Sequence, residues 1–161
     1  MSDARPDLQY DFTAGIPFPK DACVVIVRTR WNAAIVDALE NGCQKVFVQA
    51  GLTMKTFNVP GAFEIPFAIR KHAEISKDKP LAYIALGCVL RGDTPHFDYV
   101  CNAVTDGIVH LNQSLDIPVI YGILTVDNEQ QAIERIGGKH GHKGEEAAIT
   151  ALEMIQLIRS F

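Results

Sequence analysis

Cys23-Val24-Val25-Ile26-Val27 is an unbroken apolar run of strand length, the pattern of a strand covered on both faces. Ile35, Val36, Leu39, Cys43 and Val46 then recur at helical spacing. Asn32 stands where an N-cap is favoured, and Gly51 where a helix ends in the left-handed conformation. Met54 to Val59 reads as a second strand, closed by Pro60-Gly61. A helix from about Phe63 to Ile75 follows, with Pro66 in its first turn, where proline is tolerated. Leu81 to Leu90 is the strongest strand signal, and a helix from about His96 to Ser114 comes next. Pro118 to Thr125 predicts the fourth strand, Asn128 to Ile136 a fourth helix, and Glu145 to Ser160 a fifth. In that last helix Ala148, Leu152, Ile155 and Arg159 share one mostly apolar face.

Alternating strands and helices with short connections predict an α/β three-layer sandwich of the flavodoxin-like kind. It has a four-stranded parallel sheet, right-handed crossovers and helices on both faces. Residues 1–20 are polar and contain Pro6, Pro17 and Pro19, so they are expected to form an N-terminal arm outside the core. Tyr10 to Thr13 is a candidate short strand, with a neighbouring subunit as a candidate partner. Residues 21–161 are expected to form a single domain, which a chain of 161 residues accommodates.

Composition narrows the function. A net charge of -4 argues against a nucleic-acid partner, whose phosphates need a basic face. No apolar run is long enough to cross a bilayer. The first ten residues carry Asp3 and Asp7 and lack the apolar centre of a secretory signal, so the expected location is cytoplasmic. Cys23, Cys43, Cys88 and Cys101 form no C-x-x-C pair and are expected as small buried hydrophobes. The five histidines show no metal-binding spacing. Phosphate-loop, dinucleotide and nucleophile-elbow motifs are missing as well.

In parallel α/β sheets, ligands bind beyond the carboxyl ends of the strands. Trp31, the only tryptophan, follows the first strand and either stacks on a heterocycle or packs under a loop. After the second strand, Ala62, Phe63 and Glu64 open a helix whose free N–H groups can bind ligand oxygens. Locally, Glu64 reads as favourable charge at a helix N-terminus. Cys88, Val89 and Leu90 end the third strand and lead into Arg91-Gly92-Asp93-Thr94-Pro95-His96. There Asp93 and Thr94 can cradle a phosphate with N–H groups, and His96 is placed to move protons. Arg135 heads the one concentrated basic stretch, which is either a phosphate clamp or a solvated loop.

These residues also carry a family resemblance. Arg30-Trp31-Asn32, the run Val59 to Pro66, the run Gly87 to Tyr99, Gly122 to Thr125, Glu134-Arg135 and Lys143 to Ala148 closely resemble the 6,7-dimethyl-8-ribityllumazine synthases. The resemblance extends from about Ala22 to the C-terminus. It implies an enzyme of riboflavin biosynthesis that needs no cofactor and no metal. Its substrates would be 5-amino-6-(D-ribitylamino)uracil and 3,4-dihydroxy-2-butanone 4-phosphate.

The roles implied by the resemblance follow the motifs. His96 matches the proton-transfer histidine and Trp31 the ring that stacks on the pyrimidine. Ala62, Phe63 and Glu64 match the stretch that binds uracil and the ribityl chain, which overrides the local reading of Glu64. Cys88, Val89 and Leu90 line the same pocket. Asp93 and Thr94 match the phosphate cradle, and Arg135 its charged clamp. Tyr121 matches an aromatic wall contributed by a neighbouring subunit, and Arg135 crosses the same interface. The implied assembly is built of homopentamers with the active site between adjacent subunits. The short stretch from Gly137 to Gly144 resembles members that form icosahedral shells.

The sequence also departs from the family. Trp31 replaces the more usual phenylalanine, Pro95 stands where many members carry a small hydroxyl residue, and His140 and His142 enrich the basic loop. The alternative function is a non-catalytic shell protein on the same scaffold that binds flavin or lumazine.

Overall fold

The computed structural model describes residues 9–15 and 17–161. Expectations for the arm at residues 1–8 and 16 lie outside the described residues.

Four parallel strands form one sheet in the order β2-β1-β3-β4: β1 Cys23–Thr29, β2 Thr53–Val59, β3 Ala82–Leu90 and β4 Val119–Val126. The helices are α1 Ala33–Ala50, α2 Ile65–Ile75, α3 His96–Ser114, α4 Glu129–Ile133 and α5 Lys143–Ser160. Apolar residues of α1 and α5 pack with one face of the sheet, and those of α2 and α3 with the other. This is the expected flavodoxin-like three-layer α/β sandwich.

The central strands explain why their sequences are so apolar. All seven residues of β1 are buried, because neighbours flank it on both sides and helices cover both faces. The edge strand β2 is mostly exposed, and its pattern is correspondingly mixed. Strand β1 runs two residues beyond Val27, since Arg28 and Thr29 remain paired and buried despite their polarity. Arg28 is neutralised within the fold. It donates to Glu40 and, at 2.5 Å, to Asp37, and Thr56 Oγ1 donates to the other Glu40 oxygen at 2.6 Å.

Several boundaries differ from expectation for local reasons. Asn32 is not a side-chain cap of α1. Its backbone is left-handed (φ 57°), and its Nδ2 donates to the Cys88 carbonyl at 2.8 Å. One turn of 3-10 helix at Ala62–Glu64 precedes α2, and Pro66 lies in the first turn as expected. The fourth helix stops at Ile133 rather than Ile136. Ile136–Gly138 (β5) pairs instead with Gly141–His142 (β6) in a short antiparallel hairpin. Gly137 (φ 106°) and Gly141 (φ 85°) supply the backbone that this tight reversal needs. Helix α5 begins two residues before Glu145, because the His142 ring Nδ1 accepts from the N–H groups of Gly144 and Glu145.

Among the described residues of the single chain, Tyr10 to Thr13 pairs with no strand and closes into a turn. The Thr13 N–H and hydroxyl both donate to the Asp11 carboxylate, at 2.8 and 2.6 Å. Tyr10 and Phe18 are partly buried against the α1/α5 side of the core, so this part of the arm is docked. Phe18 lies under the Arg159 guanidinium, 4.5 Å from ring centroid to Cζ. Among the described residues no helix is long and apolar enough to cross a membrane.

Candidate active site

The strand order reverses between β1 and β3: the chain moves outward to β2, then returns past β1. Such a switch point opens a crevice at the carboxyl ends of the strands. Here backbone bonds stitch the crevice walls together. Arg30 N donates to Val59 O at 2.8 Å, and Trp31 N to Pro60 O at 3.2 Å, joining the ends of β1 and β2. The Asn32 bond to Cys88 joins the ends of β1 and β3. A left-handed backbone at Asn32 aims that amide across the crevice, a conformation Asn tolerates better than most residues.

Trp31 is 66% exposed and lies on Gly61, where a Cβ would come within 2.4 Å of the indole. One edge of the ring therefore rests on backbone while the rest faces solvent. Glu64 is half-buried beside it, and its Oε2 accepts from Gly61 N at 3.0 Å. The carboxylate thus fixes the Pro60-Gly61 turn and places negative charge next to the indole. Ala62 is buried, whereas Phe63 is 64% exposed.

At the end of β3, Cys88 is buried among the α1/α5 core residues, while Val89 packs toward α2 and α3. Burial pushes the Cys88 thiol up to about 11, which keeps it protonated at neutral pH. Its side chain therefore serves as packing, and its carbonyl holds Asn32. Leu90 is partly exposed at the strand end. Asp93 and Thr94 are exposed on the loop that follows, and exposed His96 begins α3. Thr94 Oγ1 accepts from His96 N at 3.4 Å, so the hydroxyl stands at the helix N-terminus.

Tyr121 and Arg135 lie elsewhere in the chain. Tyr121 pairs with Ala85, five residues before Leu90, which puts it about 16 Å down the strand at ~3.3 Å per residue. It packs on the α2/α3 side, with its hydroxyl 3.2 Å from Thr105 Oγ1, and burial raises its pKa above the ordinary value. Arg135 grips Glu146 with both terminal nitrogens at 2.9 Å and also donates to the His140 carbonyl. Burial lowers the Lys143 pKa from its ordinary value, and the ammonium stands 3.9 Å from the same Glu146 carboxylate. These cations line a cavity of about 470 Å³ with Thr125, Gln131 and His140, beside the carboxyl end of β4.

The single chain therefore gathers Trp31, Ala62, Phe63, Glu64, Cys88, Val89, Leu90, Asp93, Thr94 and His96 at adjoining strand ends. It sets Tyr121 apart, well down β4, and leaves Arg135 in the hairpin beside the carboxyl end of β4. The Arg28–Asp37–Glu40 cluster beneath the crevice was not anticipated. Its signal was available: a lone arginine in an apolar strand implies a buried counter-charge.

The comparisons with known proteins bear on this arrangement. Residues 21–159 match the family model described as 6,7-dimethyl-8-ribityllumazine synthase. The chain belongs to that family. A protein of that name from Parabacteroides distasonis is 43% identical over 159 residues, covering 96% of this chain and 98% of the relative. One from Porphyromonas gingivalis is 44% identical, covering 93% of each chain. One from Bacteroides fragilis is 47% identical over 140 residues, covering 84% of this chain and 95% of the relative. The family is one of enzymes, and the match spans the crevice and the basic hairpin alike.

Proposed function

We propose that this chain is a lumazine-forming enzyme of riboflavin biosynthesis. It would condense 5-amino-6-(D-ribitylamino)uracil with 3,4-dihydroxy-2-butanone 4-phosphate. The observation that carries this is the convergence of an indole face, a fixed carboxylate, a helix N-terminus and a histidine on adjoining strand ends, in a chain of this family.

The chemistry suits those groups. The pyrimidine's amine attacks the ketone and one water leaves to give an imine. Elimination expels inorganic phosphate. The second amine then closes the ring with loss of a second water. Each step moves protons, and His96 at the crevice rim accepts and returns them. Trp31 supports the pyrimidine, while Ala62, Phe63 and Glu64 bind uracil and the ribityl chain. Val89 and Leu90 close the wall, with Cys88 fixed behind them. Asp93 and Thr94 present N–H groups to the ketone's phosphate. Holding two substrates together makes the first step effectively unimolecular, which accounts for a large part of the acceleration.

Tyr121 and Arg135 complete the site from a neighbouring subunit in a homopentamer. The position of Tyr121 well down β4 supports this, as do the apolar side chains left exposed near the crevice. Glu146 holds the Arg135 fork ready without any substrate.

The test is lumazine formation from the two substrates, followed by absorbance. The intact protein should turn over, and His96→Ala should lose roughly 10²–10⁴-fold in rate. A much smaller loss would move the weight from proton transfer to substrate positioning. No turnover by the intact protein, together with tight flavin binding, would favour the non-catalytic shell protein.

A further inference from the structure

We propose that Arg91 is a positioning residue, whose guanidinium clasps shut the loop that carries the phosphate cradle and His96. The inference rests on the functional reading above.

The backbone of Arg91 is still in register with the sheet, since its N–H donates to Val126 O at 2.9 Å. The chain then leaves the sheet through residues 92–95, until His96 begins α3. At Gly92 a Cβ would meet no protein atom within 4 Å, so packing does not hold this stretch there. The Arg91 side chain spans the gap. Its guanidinium carbon stands 4.1 Å from the Phe97 ring centroid. Its Nη1 lies 3.4 Å from Asp98 Oδ1, and its Nε donates to Asp127 Oδ1 at 2.6 Å. One side chain thus ties the last residue before the loop to the first turn after it, and anchors both to the end of β4.

Arginine suits this task because a planar guanidinium can stack on a ring while its edge donates to carboxylates. An ammonium is a point charge on a flexible stem and cannot do both. Arg91 and its two carboxylate partners are all substantially exposed, so the clasp adds little to global stability. Its consequence lies in geometry, because displacing catalytic groups by about 1 Å can lower a rate by roughly 100-fold.

The experiment compares wild type, Arg91→Lys, Arg91→Ala and Asp127→Asn in the lumazine assay, with kcat and KM for each substrate. Melting temperature is measured alongside, and pyrimidine binding is read from Trp31 fluorescence. Both Arg91 variants should lose about 10-fold or more in kcat/KM for the butanone phosphate, and Asp127→Asn should lose less in the same direction. Pyrimidine affinity should hold, since Trp31 and Glu64 ride on other strand ends, and melting should shift by only about 2 °C. Full activity in Arg91→Lys would overturn the proposal by showing that positive charge alone suffices. Losses that merely track melting temperature, or that come with weakened pyrimidine binding, would overturn it in favour of a structural role. Absence of wild-type turnover is a separate result, and it would remove the functional reading and this inference together.

Discussion

The two faces of the sheet finish differently. On the α1/α5 side, the two helices pack on each other at backbone distance. Gly144 lies so close to α1 that a Cβ there would come within 2.0 Å of the Leu39 carbonyl oxygen, and Gly42 makes room for the His142 ring. Leu39, Cys43, Ala148, Ala151 and Leu152 are fully buried between these elements. On the α2/α3 side, Ile65, Ile69 and Val104 are equally buried, yet Phe67 and Tyr99 remain 63% and 74% exposed. The difference teaches where helix is locked to helix. One face closes its two helices on each other at backbone distance, with Val48 and Phe161 exposed on its outer side, whereas the other turns large aromatic side chains outward around the candidate site. Apolar surface placed in that way is what a neighbouring copy would cover.

The sharpest way to break the closed side is to put a methyl group into its tightest contact. Gly144→Ala meets backbone rather than a movable side chain, so α1 and α5 must separate. The expected cost is about 3 kcal/mol or more, read from urea unfolding. Gly92→Ala is the matched control on the open side. With no atom within reach and no left-handed backbone, its stability should change by less than about 0.5 kcal/mol. Equal stability in the two variants would show that the α1/α5 contact is looser than described.

A second experiment tests whether the open side is completed by another chain. His96→Ala and Arg135→Ala proteins are prepared separately, then unfolded and refolded together. If the two groups serve one site from different subunits, random mixing in equal amounts rebuilds roughly a quarter of the sites intact. Activity should rise from near zero to about that fraction of wild type. A self-contained site would leave the mixture at the mean of its parents, and the proposed subunit-spanning site would be lost.

The parts of this molecule legible in the sequence are those set by burial. Cys23 to Val27 and Leu81 to Leu90 announce central strands, because only a strand covered on both faces tolerates such apolar runs. The strand-end rule then directs attention to Trp31, Glu64, Asp93, Thr94 and His96, all of which lie at adjoining strand ends. What escaped depends on contacts between residues distant in sequence. The polarity of Asn32 suggests a cap, but its amide is used across the crevice 56 positions away. The glycines after Arg135 suggest a loop, whereas their positive φ angles build a hairpin that delivers the His142 cap to α5. Tyr121 shows the deeper limit. Family motif alone groups it with His96, while its register on β4 places it well down the sheet from the strand ends.

The smallest expected effect concerns a polar pair under the α2/α3 side. Tyr83 is fully buried, and its hydroxyl lies 2.8 Å from His72 Nδ1. Burial pushes Tyr83 up to about 12, so at neutral pH the phenol is protonated and can donate to the ring. Burial first, then the positive charges of Lys79 and Lys55, lowers the His72 pKa below its ordinary value of 6.5. The unfolded chain therefore takes up this proton before the folded chain does. The His72 contribution is complete above about pH 6.5 and drains away as pH falls through the lowered folded-state pKa. On the α1/α5 side, Glu146 is lowered from 4.5 and matters only in more acidic solution. His72→Phe should consequently flatten the melting-temperature profile below about pH 6.5, with a change of about 1–2 °C. An unchanged slope would mean that His72 stays accessible enough to charge in place, and that this end of the open side is already hydrated.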